Sequence, residues 1–272
     1  MLRTYFSVLL IFCVKLYYLF GFNIIIVGGN KIMAKFIVID GLDGCGKATQ
    51  TELLKQALEK MGKKVVKITF PKYDSDSSAP VRMYLGGELG NDPELLNPYM
   101  CGSFYAVDRF IQYVTDWKKY FDEDDNTVII SDRYLSANII HQGGKIKNRV
   151  DKYDYIKWCY EYECGLCGIP QEDITIILTV EPNVSQKLMT ERYNGHEEKK
   201  DIHEANIEYL NNCYNSLSET LDIIKHNNIA NWVHIDCTEH AMDSQGNELE
   251  TTIQSKDYIH EKIMYYVNKI ID

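Results

Sequence analysis

The stretch Phe36-Ile-Val-Ile-Asp-Gly-Leu-Asp-Gly-Cys-Gly-Lys-Ala-Thr49 decides the fold of this chain. Its first residues are aromatic and β-branched, which predicts a buried strand, and they lead into Gly41-x-x-x-x-Gly46-Lys47. Such a glycine-rich turn directs backbone N–H groups toward one anion, and the lysine adds a positive charge. The N-terminus of the following helix contributes a partial positive charge. The stretch therefore predicts a loop that binds nucleotide phosphates.

We expect ATP to contact the whole loop. The residues concerned are Gly41, Gly44, Cys45, Gly46, Lys47, Ala48 and Thr49. Ala48 departs from the usual pattern, in which a Ser or Thr hydroxyl binds Mg²⁺. Thr49 lies about 100° farther around the helix, so it is no automatic substitute. Mg²⁺ is expected to be held by nucleotide oxygens, water and a carboxylate such as Asp132.

Composition narrows the class of protein. The chain has 272 residues, 45% hydrophobic and 25% charged, which is typical of one large α/β domain. Its formal net charge of −10 argues against a nucleic-acid-binding protein, because such proteins present a basic surface to phosphates. Free nucleotides need only a local basic pocket. Small-molecule nucleotides are therefore the expected partners.

The eight cysteines are expected to be free thiols, since an ATP-type loop indicates the reducing cytoplasm. Cys159, Cys164 and Cys167 form a cluster in which Cys164-Gly-Leu-Cys167 alone resembles half of a zinc site. Four ligands are needed and no second pair occurs nearby in the sequence, so free thiols at a helix end are the favoured interpretation. Cys45 is a separate case, because a helix N-terminus and Lys47 can lower the pKa of its thiol. Our hypothesis is that oxidation of Cys45 blocks nucleotide binding.

Residues 1–32 are an apolar extension ahead of residues 33–272, the predicted catalytic domain. A membrane anchor would place Lys15 near the bilayer centre at a cost of about 3 kcal/mol. A signal peptide should end in a small-residue cleavage site, and none is evident. A start codon assigned too far upstream is the favoured interpretation, since Met33 directly precedes the first strand. Membrane association is expected only if residues 1–32 are part of the protein.

Apolar runs alternate with helical patterns along residues 33–272. The predicted strands are Lys35–Asp40, Lys64–Phe70, Thr127–Ser131, Asp173–Val180 and Trp232–Asp236. This alternation predicts an α/β fold with a five-stranded parallel sheet and helices on both faces. Right-handed crossovers place the carboxyl ends of the strands at one edge, where ligands bind. We also expect a long helix over Asp201–Lys225 and a polar surface loop over Thr238–Ser255.

Several polar residues fall at that edge. Asp43 lies inside the phosphate loop, where it either accepts a hydrogen bond from a substrate hydroxyl, helps to hold a metal, or only stabilises the loop. Phe70, Lys72 and Tyr73 follow the second strand. Lys72 is placed to reach an acceptor phosphate and Phe70 to line a base pocket, although on this segment alone an ordinary turn that stops the strand is the favoured interpretation.

Tyr105 and Arg109 lie four residues apart, so they share one face of a predicted helix. An aromatic ring can stack on a base, and an arginine can donate to the O4 carbonyl that thymine and uracil present. A core tyrosine beside a surface arginine is the alternative. Asp132 and Arg133 follow a buried strand, where Arg133 can grip a phosphate and Asp132 can hold a metal. A buried ion pair is the alternative there.

Arg192, Lys199 and Lys200 flank a charged, glycine-containing segment. A mobile lid over this segment would bring cations to the transferring phosphoryl group and exclude water. A solvated charge run is the alternative.

Taken together, these features resemble thymidylate kinase, a member of the phosphate-loop nucleoside-monophosphate kinases. The similarity extends from about Met33 to the C-terminus. Its marks are the Asp43-containing loop, Phe70-Pro71, Tyr105-x-x-x-Arg109, Asp132-Arg133-Tyr134 and Asn138-x-x-His141-Gln-Gly-Gly144. The resemblance implies transfer of the ATP γ-phosphate to dTMP, in the cytoplasm, by a homodimer with a mobile lid.

The resemblance also implies roles for single residues. Asp43 contacts the sugar 3′-hydroxyl, Tyr105 stacks on thymine, Arg109 bonds its O4 and Arg133 holds the acceptor phosphate. Asn138 and His141 are further substrate-binding candidates, and His141 stands where the family has a tyrosine near the 2′ position. The expected catalytic residues are Lys47, Arg133, Arg192 and Asp43, with Arg192 supplying the charge that some relatives carry in the phosphate loop.

Other functions stay open at this point. A deoxynucleoside kinase would use Asp43 as its base, and a kinase for dUMP or UMP would share the base pocket. A GTPase should carry a guanine-reading Asn-Lys-x-Asp, and the closest match, Asn268-Lys-Ile-Ile-Asp272, has the wrong spacing. A membrane-tethered nucleotide-binding protein requires that residues 1–32 be genuine.

Overall fold

The computed structural model describes residues 33–121, 126–192, 201–204, 206–242, 245 and 248–271. These residues belong to one compact unit, Met33–Asp272. The predicted extension, residues 1–32, lies outside the described residues.

A parallel sheet forms the centre of the unit. Its strands are β1 Lys35–Gly41, β2 Lys64–Thr69, β3 Thr127–Asp132, β4 Ile174–Thr179 and β5 Trp232–Asp236. They are arranged in the order β2-β3-β1-β4-β5, and each neighbouring pair is parallel. The predicted sheet is confirmed. The middle of β1, Phe36–Ile39, and most of β4 are apolar because helices cover both faces of the sheet.

Nine α-helices are found in the described part of the chain. They are α1 Lys47–Lys60, α2 Ala79–Leu85, α3 Pro98–Gln112, α4 Lys118–Phe121, α5 Leu135–His141, α6 Arg149–Tyr160, α7 Pro182–Arg192, α8 Ile207–His226 and α9 Lys256–Ile271. Helices α1 and α9 supply Leu54, Leu58 and Ile263 to the core on one face of the sheet. Helices α5, α6 and α8 supply Leu135, Ile156 and Ile223 on the other.

Two helices continue into wider π-helical turns, Tyr113–Trp117 after α3 and Glu161–Leu166 after α6. Short 3₁₀ turns cover Asp76–Ser78, Pro93–Leu95 and Gly143–Lys145. The π-helical turn after α6 carries Glu163, a buried carboxylate that pairs with Arg109 on α3. Wider turns of this kind often lie at functional sites.

The structure corrects two sequence predictions. Thr238–Ser255 is not a loop, because β6 Thr238–Met242 and β7 Glu248–Ile253 form an antiparallel pair. The long helix predicted over Asp201–Lys225 begins only at Ile207, where the Asn206 side chain accepts a hydrogen bond from the Tyr209 N–H and caps it.

Close packing at the end of β1 fixes where the phosphate loop begins. Gly41 has a φ of +140°, and a Cβ there would collide with the carbonyl oxygen of Leu178 on β4. Only glycine fits both the conformation and the space. The loop therefore starts directly against the neighbouring strand.

Candidate active site

A cavity of about 1020 Å³ opens at the carboxyl edge of the sheet. The predicted site residues that line it are Asp43, Phe70, Lys72, Tyr73, Tyr105, Arg109, Asp132, Arg133, Asn138 and His141. They come from four segments that are distant in the sequence, and the parallel sheet brings them together because its strand ends meet at one edge. The cavity is large enough for a nucleotide.

The phosphate loop closes one end of this cavity through Asp43. Gly46 precedes α1 in a left-handed conformation with a φ of +84°. Lys47 is buried, and its Nζ donates to the Leu42 carbonyl oxygen at 2.7 Å and lies 3.6 Å from Asp43 Oδ1. Ala48 and Thr49 are exposed on the first turn of α1. The helix N-terminus is thus open to a ligand.

The hypothesis of a reactive Cys45 is wrong. Burial raises the pKa of the Cys45 thiol, and the nearby Lys47 only partly offsets this. The side chain is fully buried in the core between the sheet and α1. A thiol in this environment stays protonated and shielded from oxidants.

An ion pair joins the phosphate loop to the end of β3. The Arg133 guanidinium donates from Nη2 to Asp43 Oδ1. Burial acts to raise the pKa of the Asp43 carboxyl, but Arg133 and Lys47 outweigh it and hold that pKa far below its usual range. Asp43 therefore stays ionised, and a carboxylate and a guanidinium face the cavity together.

The backbone of Arg133 is held in an unusual conformation. Its φ is +68°, a left-handed value that is costly for a residue with a Cβ. The Arg133 N–H donates to the Ile39 carbonyl oxygen at 3.0 Å, and the Ser131 hydroxyl donates to the Arg133 carbonyl oxygen at 2.5 Å. These bonds to β1 and β3 turn the side chain into the cavity.

Two histidines lie beside this ion pair. His141 Nε2 is 3.3 Å from Arg133 Nη1, and the His141 ring stacks on His203 at 5.7 Å. Burial lowers the pKa of His141 to about 3, so its ring is neutral and Nε2 can accept from Arg133. Burial likewise lowers the pKa of His203 well below its usual value, and its Nε2 lies 2.8 Å from the Tyr84 hydroxyl.

Arg109 is buried rather than exposed, so the alternative of a surface arginine is wrong. Its Nε and Nη2 donate to the Glu163 carboxylate at 2.6 Å each. Its Nη1 donates to the Tyr134 carbonyl oxygen at 3.2 Å. Tyr105, one turn earlier, packs edge-on against Tyr84 at 6.4 Å. The helix α3 thus presents an aromatic ring and a guanidinium to the same cavity.

The segment after β2 is shaped by a buried carboxylate on α3. Asp108 accepts from the Lys72 N–H at 2.9 Å and from the Ser77 hydroxyl at 2.5 Å. Lys72 Nζ is half-exposed, 3.8 Å from Asp74 Oδ1, and Phe70 is buried. The Lys72 side chain is therefore accessible to an anion in the cavity.

The acidic residues do not form a metal cluster by themselves. Asp132 is partly exposed at the cavity, whereas Asp40 is fully buried and accepts from the Gly41 N–H and the Ser136 hydroxyl. Within the described ranges, no group of three or more His, Cys, Asp or Glu side chains is arranged to hold a metal ion, and the Cys159 cluster is included in that statement. A cation would need ligand oxygens from a nucleotide.

The predicted lid falls largely outside the described residues. Arg192 is the last residue of α7, and the description stops at its side chain. Lys199 and Lys200 lie in the undescribed range 193–200. None of the helices in the described part has the length and apolarity needed to cross a membrane.

Comparisons with known proteins decide the family. The thymidylate kinase family model matches residues 39–236. The chain belongs to the thymidylate kinase family. It is therefore a dTMP kinase, a phosphotransferase of nucleotide biosynthesis, in a family that uses ATP.

Individual relatives agree with this assignment. A probable thymidylate kinase of Methanococcus maripaludis is 28% identical over 224 residues, which cover 82% of this chain and 97% of the relative. The thymidylate kinase of Mycobacterium tuberculosis is 28% identical over 163 residues, covering 58% and 70%.

Solved structures show the same fold. The thymidylate kinase of Candida albicans aligns with a TM-score of 0.60 at 17% identity, covering 88% of this chain and 94% of that one. The Ehrlichia chaffeensis thymidylate kinase aligns with a TM-score of 0.55 at 20% identity, covering 86% and 98%.

Sequence reasoning missed the part that Glu163 takes in the site of this dTMP kinase. Glu163 carries no motif and reaches Arg109 only through tertiary packing. His203 lines the cavity but was not predicted as a site residue. The one available signal for Glu163 was its place as a polar residue among aromatic residues and cysteines.

The neutral state of His141 gives a pH prediction. Between about pH 3 and the ordinary value of 6.5, the unfolded chain binds a proton at His141 that the folded chain does not. Stability should therefore rise with pH across this window, by up to about 1.4 kcal/mol per pH unit for this one group. In H141Q, urea denaturation at a series of pH values should show a shallower rise. Equal slopes in both proteins would contradict the assignment.

Proposed function

We propose that the cavity binds dTMP, that the phosphate loop binds ATP, and that the γ-phosphate passes between them to give dTDP for dTTP synthesis. The observation that carries this proposal is the Arg133–Asp43 pair beside Lys47. A cation and a carboxylate at the point where the two sites meet suit an acceptor with both a phosphate and a hydroxyl.

Each member of the pair takes one part of the acceptor. Arg133 donates to the dTMP phosphate, and Asp43 accepts from the sugar 3′-hydroxyl. The acceptor is already an oxyanion near neutral pH, so the reaction needs no strong base. Catalysis then consists of positioning and charge stabilisation by Lys47, Arg133 and Arg192. Lys72 adds a further positive charge beside the acceptor phosphate.

The base is read at the inner end of the cavity. Arg109 Nη1 and Nη2 each keep an N–H beyond the bonds to Glu163 and Tyr134, and these are available to O4. Asn138 donates its amide to the Gly102 carbonyl oxygen at 3.0 Å, so its Oδ1 is left to accept from N3–H. Tyr105 stacks on the ring, and Phe70 and Tyr73 line the remaining wall.

Mg²⁺ is proposed to be held by ATP oxygens, water and Asp132. The donor set fits this arrangement, because the partly exposed Asp132 carboxylate lines the cavity and hard oxygen ligands suit Mg²⁺. Ala48 provides no hydroxyl. When bound, the ion would neutralise charge on the transferring group.

A substrate panel tests the proposed function. Full-length enzyme with ATP and Mg²⁺ should phosphorylate dTMP and, more weakly, dUMP, while thymidine should not react. UMP belongs in the panel because His141 replaces the tyrosine expected near the 2′ position. A coupled assay for ADP measures all four. A preference for thymidine would instead indicate a deoxynucleoside kinase, and a preference for UMP a ribonucleotide kinase.

Arg133→Ala should lower kcat/KM for dTMP by about 10²-fold or more, because a charge-stabilising donor is lost. ATP affinity should stay nearly unchanged, since Arg133 lies on the acceptor side of the cavity. Initial-rate kinetics and ATP titration measure the two effects. Arg149→Ala is the matched control, since Arg149 is half-exposed and pairs with Asp222 and Glu219. An equal loss of ATP affinity in R133A would contradict its role.

We also propose that the enzyme is a homodimer. The face of α3 opposite Tyr105 and Arg109 is apolar and continues into the next turn. Its exposed residues are Met100, Val107, Phe110, Ile111 and Val114. A contiguous apolar stripe of this kind is typical of an interface, and an antiparallel pairing of two copies of α3 would cover it.

The double variant V107D/F110D should therefore be a monomer under conditions in which the wild-type protein is a dimer, because each subunit would bury two charges at the interface. Light scattering coupled to size-exclusion chromatography measures the mass. Leu166→Asp is the control, since Leu166 is 84% exposed and lies on a different surface. A monomeric wild-type protein would rule out the proposed dimer.

The catalytic domain is proposed to span residues 33–272 and to act in the cytoplasm. ATP is available in the cytoplasm, and every described cysteine is a free thiol, as expected in a reducing compartment.

A further inference from the structure

We propose that Glu163 is a positioning residue that sets pyrimidine specificity. It does so by fixing which groups of Arg109 and Asn138 face the base as hydrogen-bond donor and acceptor. The inference rests on the proposed function, in which these two side chains read the base. Glu163 is 2% exposed and lies in the π-helical turn Glu161–Leu166, 54 residues from Arg109 in the sequence.

Glu163 fixes the orientation of the Arg109 side chain. Glu163 accepts from Nε and Nη2 in a parallel, two-bond arrangement with both distances at 2.6 Å. This geometry fixes the plane of the guanidinium as well as its position. One N–H on Nη1 and one on Nη2 remain outside these bonds, and Arg109 lines the cavity. A ligand therefore meets a donor at this point.

Glu163 also helps to fix the orientation of the Asn138 amide. Its Nδ2 lies 3.0 Å from the Gly102 carbonyl oxygen and 3.4 Å from Glu163 Oε1. Rotating the amide by 180° would place its oxygen against these two acceptors, which is unfavourable. A carboxylate accepts only, so Glu163 and Gly102 together leave Asn138 Oδ1 as the group that a base can meet.

The resulting order, a donor beside an acceptor, is complementary to O4 and N3–H of a keto pyrimidine. Cytosine presents the reverse order, an amino donor at position 4 and an acceptor at N3. Buried polar groups that are mismatched in this way lose their hydrogen bonds, so the site should reject dCMP strongly. Glu163 touches no substrate atom and acts through its two partners.

Glu163→Gln tests this role. A glutamine can donate to Asn138, which lets the Asn138 amide turn over, and it offers Arg109 one acceptor atom in place of two. The kcat/KM ratio of dTMP over dCMP should fall by about tenfold or more. The change should lie in KM for dTMP, with KM for ATP and kcat at saturating dTMP within about threefold of wild type.

Two further variants separate the possible causes. Glu172→Gln is the matched control, because Glu172 is also buried but pairs with Tyr160 and Thr175 away from the cavity. It should leave the dTMP/dCMP ratio unchanged. Asn138→Ala tests base reading itself and should raise KM for dTMP. If N138A leaves that KM unchanged, the proposed base reading fails and the role of Glu163 fails with it.

If N138A raises KM for dTMP but folded E163Q keeps the wild-type KM and ratio, then Glu163 only stabilises the fold and the inference alone is overturned. Thermal unfolding monitors folding throughout. Should E163Q not fold, Glu163→Asp carries the test, because it keeps the charge while withdrawing the carboxylate by one methylene. It should lower the dTMP/dCMP ratio by about threefold or more, and an unchanged ratio would overturn the inference.

Discussion

The site depends on two arginines, the buried Arg109 and the partly buried Arg133, whose charges must be neutralised where they stand. Arg109 and Arg133 both enter the cavity wall, and each is matched by a carboxylate from a distant segment, Glu163 and Asp43 respectively. Removing one member of a buried pair costs about 3–5 kcal/mol, although the intact pair contributes little net stability compared with an apolar pair. Stability alone therefore does not explain these ion pairs. Their free-energy cost is explained if the charged side chains bind a ligand.

The rest of the site follows from this requirement. The left-handed backbone at Arg133 and its bonds to β1 and β3 direct one guanidinium toward Asp43. The π-helical turn after α6 brings Glu163 to the other. Two neutral histidines complete the wall without adding positive charge, because burial lowers the pKa of both rings. Preorganised charge of this kind needs no rearrangement when a phosphate binds.

The sequence predicted what is encoded locally. The phosphate loop, the five strands and the grouping of strand-end residues all follow from short motifs and the periodicity of apolar residues. The partner of Arg109 could not be predicted, because Glu163 is 54 positions away and carries no motif. The β6–β7 pair was missed because most of the strand residues whose burial is described are exposed, so no alternation marks them. The turn over residues 201–204 was predicted as part of a helix because its polar composition resembles that of a solvent-exposed helix.

Helix α3 contributes both to the proposed base pocket and to the proposed dimer interface. One of its faces carries Tyr105 and Arg109 into the cavity, and the opposite face carries the exposed apolar stripe. A helix with ligand contacts on one side and a partner on the other has little freedom to rotate or slide. In the proposed dimer, the second subunit would therefore support base reading without touching the substrate. This arrangement links the geometry of the base pocket to assembly, since loosening the outer face would release α3 against Glu163.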